Sequence, residues 1–178
     1  MRIWRRLRHR VPGMDAEWGT LRVRATSYVT RLNGPVKELL VFRYLDESVS
    51  GLHLPGGGVE GDERPDVAAV REVVEETGIR EDLALAGVVG VMQSRWESGR
   101  RYIDLFFHLR TEEPRDQWTH RMIGHPSAWD TGMVVEVRFE PLEEAARLLA
   151  ATGQGQESFL HRIQSASDSV SSSCSSIP

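Results

Sequence analysis

Glu72, Glu75 and Glu76 stand at i, i+3 and i+4, a spacing that on a helix brings all three carboxylates to one face. Like charges that close repel one another and would destabilise an isolated helix. A divalent cation resolves the conflict. Carboxylate oxygens suit Mg²⁺ or Mn²⁺, and Mg²⁺ binds through a few carboxylates plus waters and substrate phosphates. An arbitrary Glu-x-x-Glu-Glu reads better as a solvated acidic face, so the upstream residues decide between the two. Leu54-Pro55-Gly56-Gly57-Gly58 offers a turn where backbone can approach a ligand closely, because no Cβ stands in the way. Glu63 and Arg71 are partners able to lock that loop onto the helix, although as a plain surface ion pair they would contribute little. Loop, clamp and acidic helix together describe a cradle for a metal and a diphosphate.

The elements that must position these groups are legible around them. Pro65 suits a first helical turn, where its fixed φ is already helical and its missing N–H has no partner to lose. Val67, Val70, Val74 and Thr77 recur at three- and four-residue intervals, which predicts a buried stripe, and Gly78 follows as a helix stop. Leu21 to Leu32 reads as a strand, Asn33-Gly34-Pro35 as a turn, and Leu39 to Tyr44 as the hairpin partner. Leu85 to Met92 is a further strand, Glu97-Ser98-Gly99-Arg100 a turn, and Tyr102 to Leu109 a strand rich in aromatics. Met133 to Phe139 alternates apolar residues with Glu136 and Arg138, as a half-exposed strand does. Pro141 opens a helix through Ala151 with Leu142, Ala145, Leu148 and Leu149 facing inward. This order predicts an α/β domain with a mixed sheet and a helix on either side. Trp118 to Pro126 reads as a long polar-aromatic connection without regular structure, a kind of segment that often carries function. Trp118 and His120 there are candidate nucleotide contacts; the equal alternative is that Trp118 caps the core and the histidines are solvated. His120 and His125 without a third ligand nearby do not make a zinc site.

Composition narrows the classes. The chain has 178 residues and a net charge of −4, a size that fits one domain with a sizeable core plus tails. The acidic balance argues against a stable nucleic-acid partner, which needs a basic surface. The single cysteine, Cys174, excludes an intrachain disulfide and fits a reducing, cytoplasmic setting. No apolar run approaches the length of a membrane span. Five arginines fall within the first ten residues with no apolar stretch after them, so residues 1–17 read as a basic, disordered extension rather than a secretory signal. Met14 is a second candidate start. Ser165 to Pro178 is serine-rich and expected to be disordered, leaving 18–164 as the folded domain.

From Gly57 to Ile79 the fixed residues follow Gly-x5-Glu-x7-Arg-Glu-U-x-Glu-Glu-x-Gly-U, with U aliphatic. This is the spacing of the Nudix box, and the chain resembles a Nudix hydrolase. Seven fixed positions, each matched by chance about one time in ten, give roughly 10⁻⁵ over the chain. The resemblance implies an α/β/α sandwich around a mixed sheet over Thr20 to Gln164. It also implies Mg²⁺-dependent hydrolysis of a nucleoside diphosphate linked to another moiety, with a nucleoside triphosphate or a nucleotide-sugar as the default small-molecule substrate. Carried over by position, Glu72, Glu75 and Glu76 would be metal ligands, with Glu72 preferred as general base and Arg71 orienting it. Glu136 is the preferred further ligand, beside Asp104, Glu112 and Glu113. Accessory signatures of particular subgroups are not met: Arg95 and Glu97 stand where proline or tyrosine would mark an ADP-ribose or a diadenosine polyphosphate type. The alternative function is a catalytically silent nucleotide-binding or regulatory module, which the intact box disfavours. Homodimerisation is common among similar proteins, and no stripe in this sequence argues for it.

Overall fold

The computed structural model describes residues 21–95, 101–126 and 128–164. The basic extension, the turn at Glu97–Arg100 and the serine-rich tail lie outside the described residues. In chain order the elements are β1 (Arg22–Asn33), β2 (Val36–Tyr44), β3 (Gly56–Gly58), α1 (Pro65–Thr77), β4 (Ala84–Arg95), β5 (Arg101–Arg110), β6 (Gln117–Arg121), β7 (Val134–Pro141), α2 (Leu142–Ala151) and α3 (His161–Gln164). The strands form one mixed sheet in the order β4-β5-β1-β2-β7-β6, with β3 added to β1. Only β1 and β5 run parallel, in register from Arg22 opposite Tyr102 to Thr30 opposite Arg110.

Both faces of the sheet are covered. Ala25, Val29, Leu40, Phe42, Phe107, Leu109, Val135 and Val137 meet Ala68, Ala69 and Val73 of α1. Tyr28, Leu39, Val41 and Phe106 meet Leu142, Ala145 and Leu149 of α2, with Leu160 and Ile163 beside them. This is the expected α/β/α sandwich. Burial on both faces explains the imperfect alternation of β1, since a doubly covered strand reads as a nearly continuous buried run. β7 alternates cleanly because Glu136 and Arg138 point to the face opposite Val135, Val137 and Phe139.

Three differences from the sequence reading have identifiable causes. The buried stripe of α1 is Ala68, Ala69, Glu72, Val73, Glu76 and Thr77, while Val67 is 51% exposed. Small alanines let the helix lie close to β1, where the Ser27 hydroxyl donates to the Ala69 carbonyl at 3.1 Å. That rotation turns the glutamates toward the protein interior rather than solvent. Part of the expected loop is strand β6, whose residues pair with β7 from Gln117–Arg138 to Arg121–Val134. The short elements β3 and α3 were not anticipated, because a three-glycine strand carries no side-chain pattern. Gly78 does end α1 as expected, at φ +75° with its N–H donated to the Val74 carbonyl.

The strand pairings open one end of the sheet. β1 pairs with β2 through Thr30–Asn33, and its N-terminal half takes β3 as neighbour, from Arg24 opposite Gly58 to Thr26 opposite Gly56. The segment leading into β3 is tied from the far end of the chain. The Leu54 N–H donates to Gln156 Oε1 (2.9 Å), and the Tyr28 hydroxyl donates to the Gln156 carbonyl (2.7 Å).

Candidate active site

At the open end of the sheet, β3 lies across the N-terminal half of β1 and against α1. A Cβ on Gly56 would stand 2.6 Å from the Ala25 carbonyl oxygen and 2.8 Å from the Thr26 Cα. On Gly57 it would meet the whole Glu72 carboxyl group, whose farthest atom would be 2.6 Å away. Glycine is therefore required at both places by close approach. The contact is also a bond: the Gly56 N–H donates to Glu76 Oε2 at 2.8 Å, and Arg24 Nη2 donates to the Gly56 carbonyl at 2.9 Å.

Arg71 holds the loop and the helix together. Its guanidinium donates to Glu63 Oε1 and Oε2 (2.9 and 3.1 Å), to the Gly58 carbonyl (2.9 Å), to Glu72 Oε1 (2.8 Å) and to Glu75 Oε2 (3.1 Å). A planar fork meets all of these at once, which an ammonium could not. Glu63 first and then Glu72 hold Arg71 more firmly protonated, against its partial burial, and Arg71 in turn lowers the pKa of Glu63.

Glu72 and Glu76 experience the opposite. Glu76 lies well above the usual carboxylate range, because burial and then the neighbouring Glu72 charge disfavour ionisation more than the Gly56 N–H favours it. Glu72 is also raised, by burial, with Arg71 opposing. Two buried carboxylates that hold protons too tightly are a site short of positive charge.

A cavity of about 1650 Å³ covers this end of the sheet. Its acids are Glu60, Glu72, Glu75, Glu76, Asp104 and Asp130, and Gly56, Gly57, Gly58, Arg24 and Arg71 line it as well. Among the described residues no three acidic or imidazole side chains converge into a closed metal cage. The donors that do gather are oxygens, and Mg²⁺ needs few of them, completing its shell with waters and substrate phosphates. Glu72, Glu76 and Glu75 therefore suit an open Mg²⁺ or Mn²⁺ site, the cation standing where the raised pKa values otherwise call for protons.

The predicted residues divide clearly. Glu72, Glu75, Glu76, Gly56, Gly57, Gly58 and Arg71 come together, with Glu63 behind Arg71. Asp104 also lines the cavity, where its carboxylate accepts from Ser94 and pairs with Arg24 Nε at 3.4 Å. Glu136 does not join them. On β7 it faces away from α1, accepting from Arg43 Nε (2.6 Å) and Gln117 Nε2 (2.8 Å). Glu112 and Glu113 are likewise absent from the cavity wall, Glu113 being paired with Arg115. Trp118 and His120 do not line the cavity. The Trp118 indole N–H donates to the Thr77 carbonyl (2.7 Å), and His120 Nε2 bonds the Glu75 carbonyl (3.0 Å), pinning the end of α1 to β6. Sequence reasoning missed Arg24, Tyr44, His53, Trp129 and Asp130, all on the cavity wall. The only signal for the last two was their place in the same long connection, a few residues beyond Pro126.

Fold and site together define a known class. The sequence model of the NUDIX domain matches residues 20–163, and the chain belongs to that family. Diphosphoinositol polyphosphate phosphohydrolase 3-alpha of Mus musculus is 41% identical over 78 residues, 43% of this chain and 44% of the relative. Diphosphoinositol polyphosphate phosphohydrolase 2 of Homo sapiens is 33% identical over 88 residues, 49% and 44% respectively. The matches thus span less than half the length of these curated relatives. Among solved structures, an Ap4A hydrolase of C. elegans superposes with a TM-score of 0.61 at 18% identity, covering 80% of this chain and 95% of that one. The Nudix hydrolase RenU of M. smegmatis gives 0.55 at 18% identity, covering 80% and 84%. At such identities the likeness is one of fold. No helix among the described residues is long and apolar enough to cross a membrane.

Proposed function

We propose that this chain is a divalent-cation-dependent pyrophosphohydrolase that cleaves a phosphoanhydride bond in a diphosphate linked to another moiety. The observation that carries the reading is the buried Glu72–Glu76 pair beneath the glycine strand, with both carboxylates raised in pKa. Glu72, Glu75 and Glu76 would hold Mg²⁺ or Mn²⁺, which neutralises the diphosphate and makes bound water more acidic. The bare backbone of Gly56–Gly58 lets the diphosphate lie against the sheet. Water attacks phosphorus in line, a new P–O bond forms as the bridging P–O bond breaks, and the leaving phosphate departs with the bridging oxygen. Glu72 takes the proton of the attacking water, with Arg71 bonding its carboxylate and fixing its orientation. Asp104 is the remaining acid from the earlier set that is placed to contribute.

The test is product release in the presence of Mg²⁺ from nucleoside triphosphates, nucleotide-sugars, ADP-ribose, dinucleoside polyphosphates and diphosphoinositol polyphosphates, beside Glu76→Gln. Turnover of one class that is lost in the variant supports the reading. Silence of folded wild-type protein across the panel refutes it.

A further inference from the structure

Charge is divided unevenly along this chain. The net −4 includes +5 from the first ten residues, where Arg2, Arg5, Arg6, Arg8 and Arg10 stand without an acid among them, so the rest of the chain carries −9. The structure fixes where that basic segment is attached. Leu21 and the first residues of β1, Arg22, Val23 and Arg24, line the cavity, so residues 1–20 join the domain at the cavity wall. Six acids line the same cavity against the three arginines Arg22, Arg24 and Arg71. Arg71 is committed to Glu63, Glu72, Glu75 and Gly58, and Arg24 bonds Gly56 and Asp104.

Reach and apolar surface agree with charge. Residues 11–20 separate Arg10 from Leu21. Ten residues span at most about 33–36 Å, more than twice the roughly 15 Å diameter of a sphere with the cavity's 1650 Å³. Leu21, Ile123 and Trp129 are exposed apolar side chains on the cavity wall, and Ile3, Trp4 and Leu7 lie between the arginines. Binding on a tether is intramolecular, and a short linker holds its ligand at a local concentration in the millimolar range. The same arginines could instead draw in a substrate's phosphates. Against that, the acids of the metal-free cavity repel a phosphate, whereas they attract the arm.

We propose that the arginine-rich segment of residues 2–10 docks into the acidic cavity of its own chain as a counter-ion, so that Mg²⁺ must displace it to reach Glu72, Glu75 and Glu76. The inference rests on the divalent-cation site proposed above and adds a control to it: the arm holds the site until metal takes its place. Arginine suits the task, because its guanidinium is always charged and forks onto carboxylates. Salt weakens such docking, since the screening length falls from about 10 Å at 0.1 M to about 3 Å at 1 M.

The experiment is calorimetric binding of Mg²⁺ to the full chain and to two full-length triple variants, Arg5→Ser/Arg6→Ser/Arg8→Ser and Arg5→Lys/Arg6→Lys/Arg8→Lys. A synthetic peptide of residues 1–13 is the second probe, and thermal melting checks that each variant is folded. At low salt the serine variant should bind Mg²⁺ at least about threefold more tightly than wild type, the least that three exposed ion pairs imply. The lysine variant should stay near wild type, and the difference should vanish at high salt. The peptide should bind the metal-free serine variant and leave as Mg²⁺ is added; in excess it should also weaken Mg²⁺ binding by wild-type protein. Equal Mg²⁺ affinity of wild type and serine variant, or peptide and Mg²⁺ bound together, would overturn the docked arm while leaving the cation site standing. Weaker binding of inorganic pyrophosphate with Mg²⁺ by the serine variant would overturn it too, because the arginines would then serve phosphate. Folded protein that binds Mg²⁺ in none of its forms would sink the cation site, and the arm's competition with it.

Discussion

Replacing Gly57 and Gly56 by alanine, one at a time, separates what the glycine strand does for chemistry from what it does for folding. Neither glycine has a positive φ, so alanine is conformationally acceptable at both, and it gains a few tenths to about 1 kcal/mol by restricting the unfolded chain. The walls differ. At Gly57 the three atoms nearest the new methyl all belong to the Glu72 carboxyl group, the end of a side chain rather than backbone. To restore an ordinary contact the carboxyl must retreat by about 1 Å. A misplacement of that size costs on the order of 100-fold in rate. At Gly56 the methyl meets the Ala25 carbonyl and the Thr26 Cα, which are backbone of the central strand and cannot step aside. Overpacking against an unyielding wall costs about 1–3 kcal/mol, or about 2–12 °C of melting temperature for a domain of this size. The assay is initial rate at saturating Mg²⁺ with the best substrate found, alongside thermal melting of both variants. Gly57→Ala should melt within a few degrees of wild type and turn over roughly 100-fold more slowly. Gly57→Ala with wild-type turnover, or with the same thermal loss as Gly56→Ala, would refute the reasoning.

Three further outcomes are expected. In EDTA, melting temperature should fall as pH rises above about 4.5, the ordinary glutamate value. In that window the folded state holds protons on Glu72 and Glu76 that the unfolded state has released, so stability has a negative slope. Carboxylates with lowered pKa, such as Glu63 and Glu136, act below it and with the opposite sign. Mg²⁺ should stabilise more strongly the higher the pH, and Glu76→Gln should flatten the EDTA profile; a flat wild-type profile would contradict the burial of charge at Glu76. Trp118→Phe should cost about 1 kcal/mol by leaving the Thr77 carbonyl without its donor, with KM unchanged; a raised KM would return Trp118 to the substrate. Glu136→Gln should lose less than 1 kcal/mol, because its pairing with Arg43 is half in solvent, and should retain full activity at all Mg²⁺ concentrations. A shifted Mg²⁺ dependence would reinstate it as a ligand.

The cradle was legible because its contacts are local. Gly57, Glu63, Arg71 and Glu72 lie within one short stretch, and helix periodicity alone determines which of them can meet. That Glu136 lies apart from the cavity was hidden in the sequence for the reason strands are hard to read. Alternation showed that it and Val135 face opposite ways, but which way is inward depends on the register of β7 against β2, where Glu136 lies opposite Arg43. A slip of one residue would have exchanged the faces. Trp118 and Trp129 posed the same problem with side chains. Both are tryptophans in one connection, and β6 pairing consigns the first to the end of α1 while the second is left open to the cavity. The stripe of α1 failed on a subtler point. Valines marked a plausible face, but the alanines allow the closer approach, and the carboxylates came inward with them.

The bond from the Leu54 N–H to Gln156 has a consequence in time. The two residues are 102 positions apart, so a ribosome adding about 5–20 residues per second needs roughly 5–20 s between them. The stretch from Leu54 to Ile79 is complete long before its tether exists, and in that interval Leu54 meets water where Gln156 will later sit. The nascent domain thus carries every box residue yet lacks one of the ties on the segment leading into the glycine strand, and that tie forms only once Gln156 has been made. A translational pause shortly before Gln156 would prolong that unanchored state, and synonymous codon changes there are a lever on yield that acts without altering a single side chain.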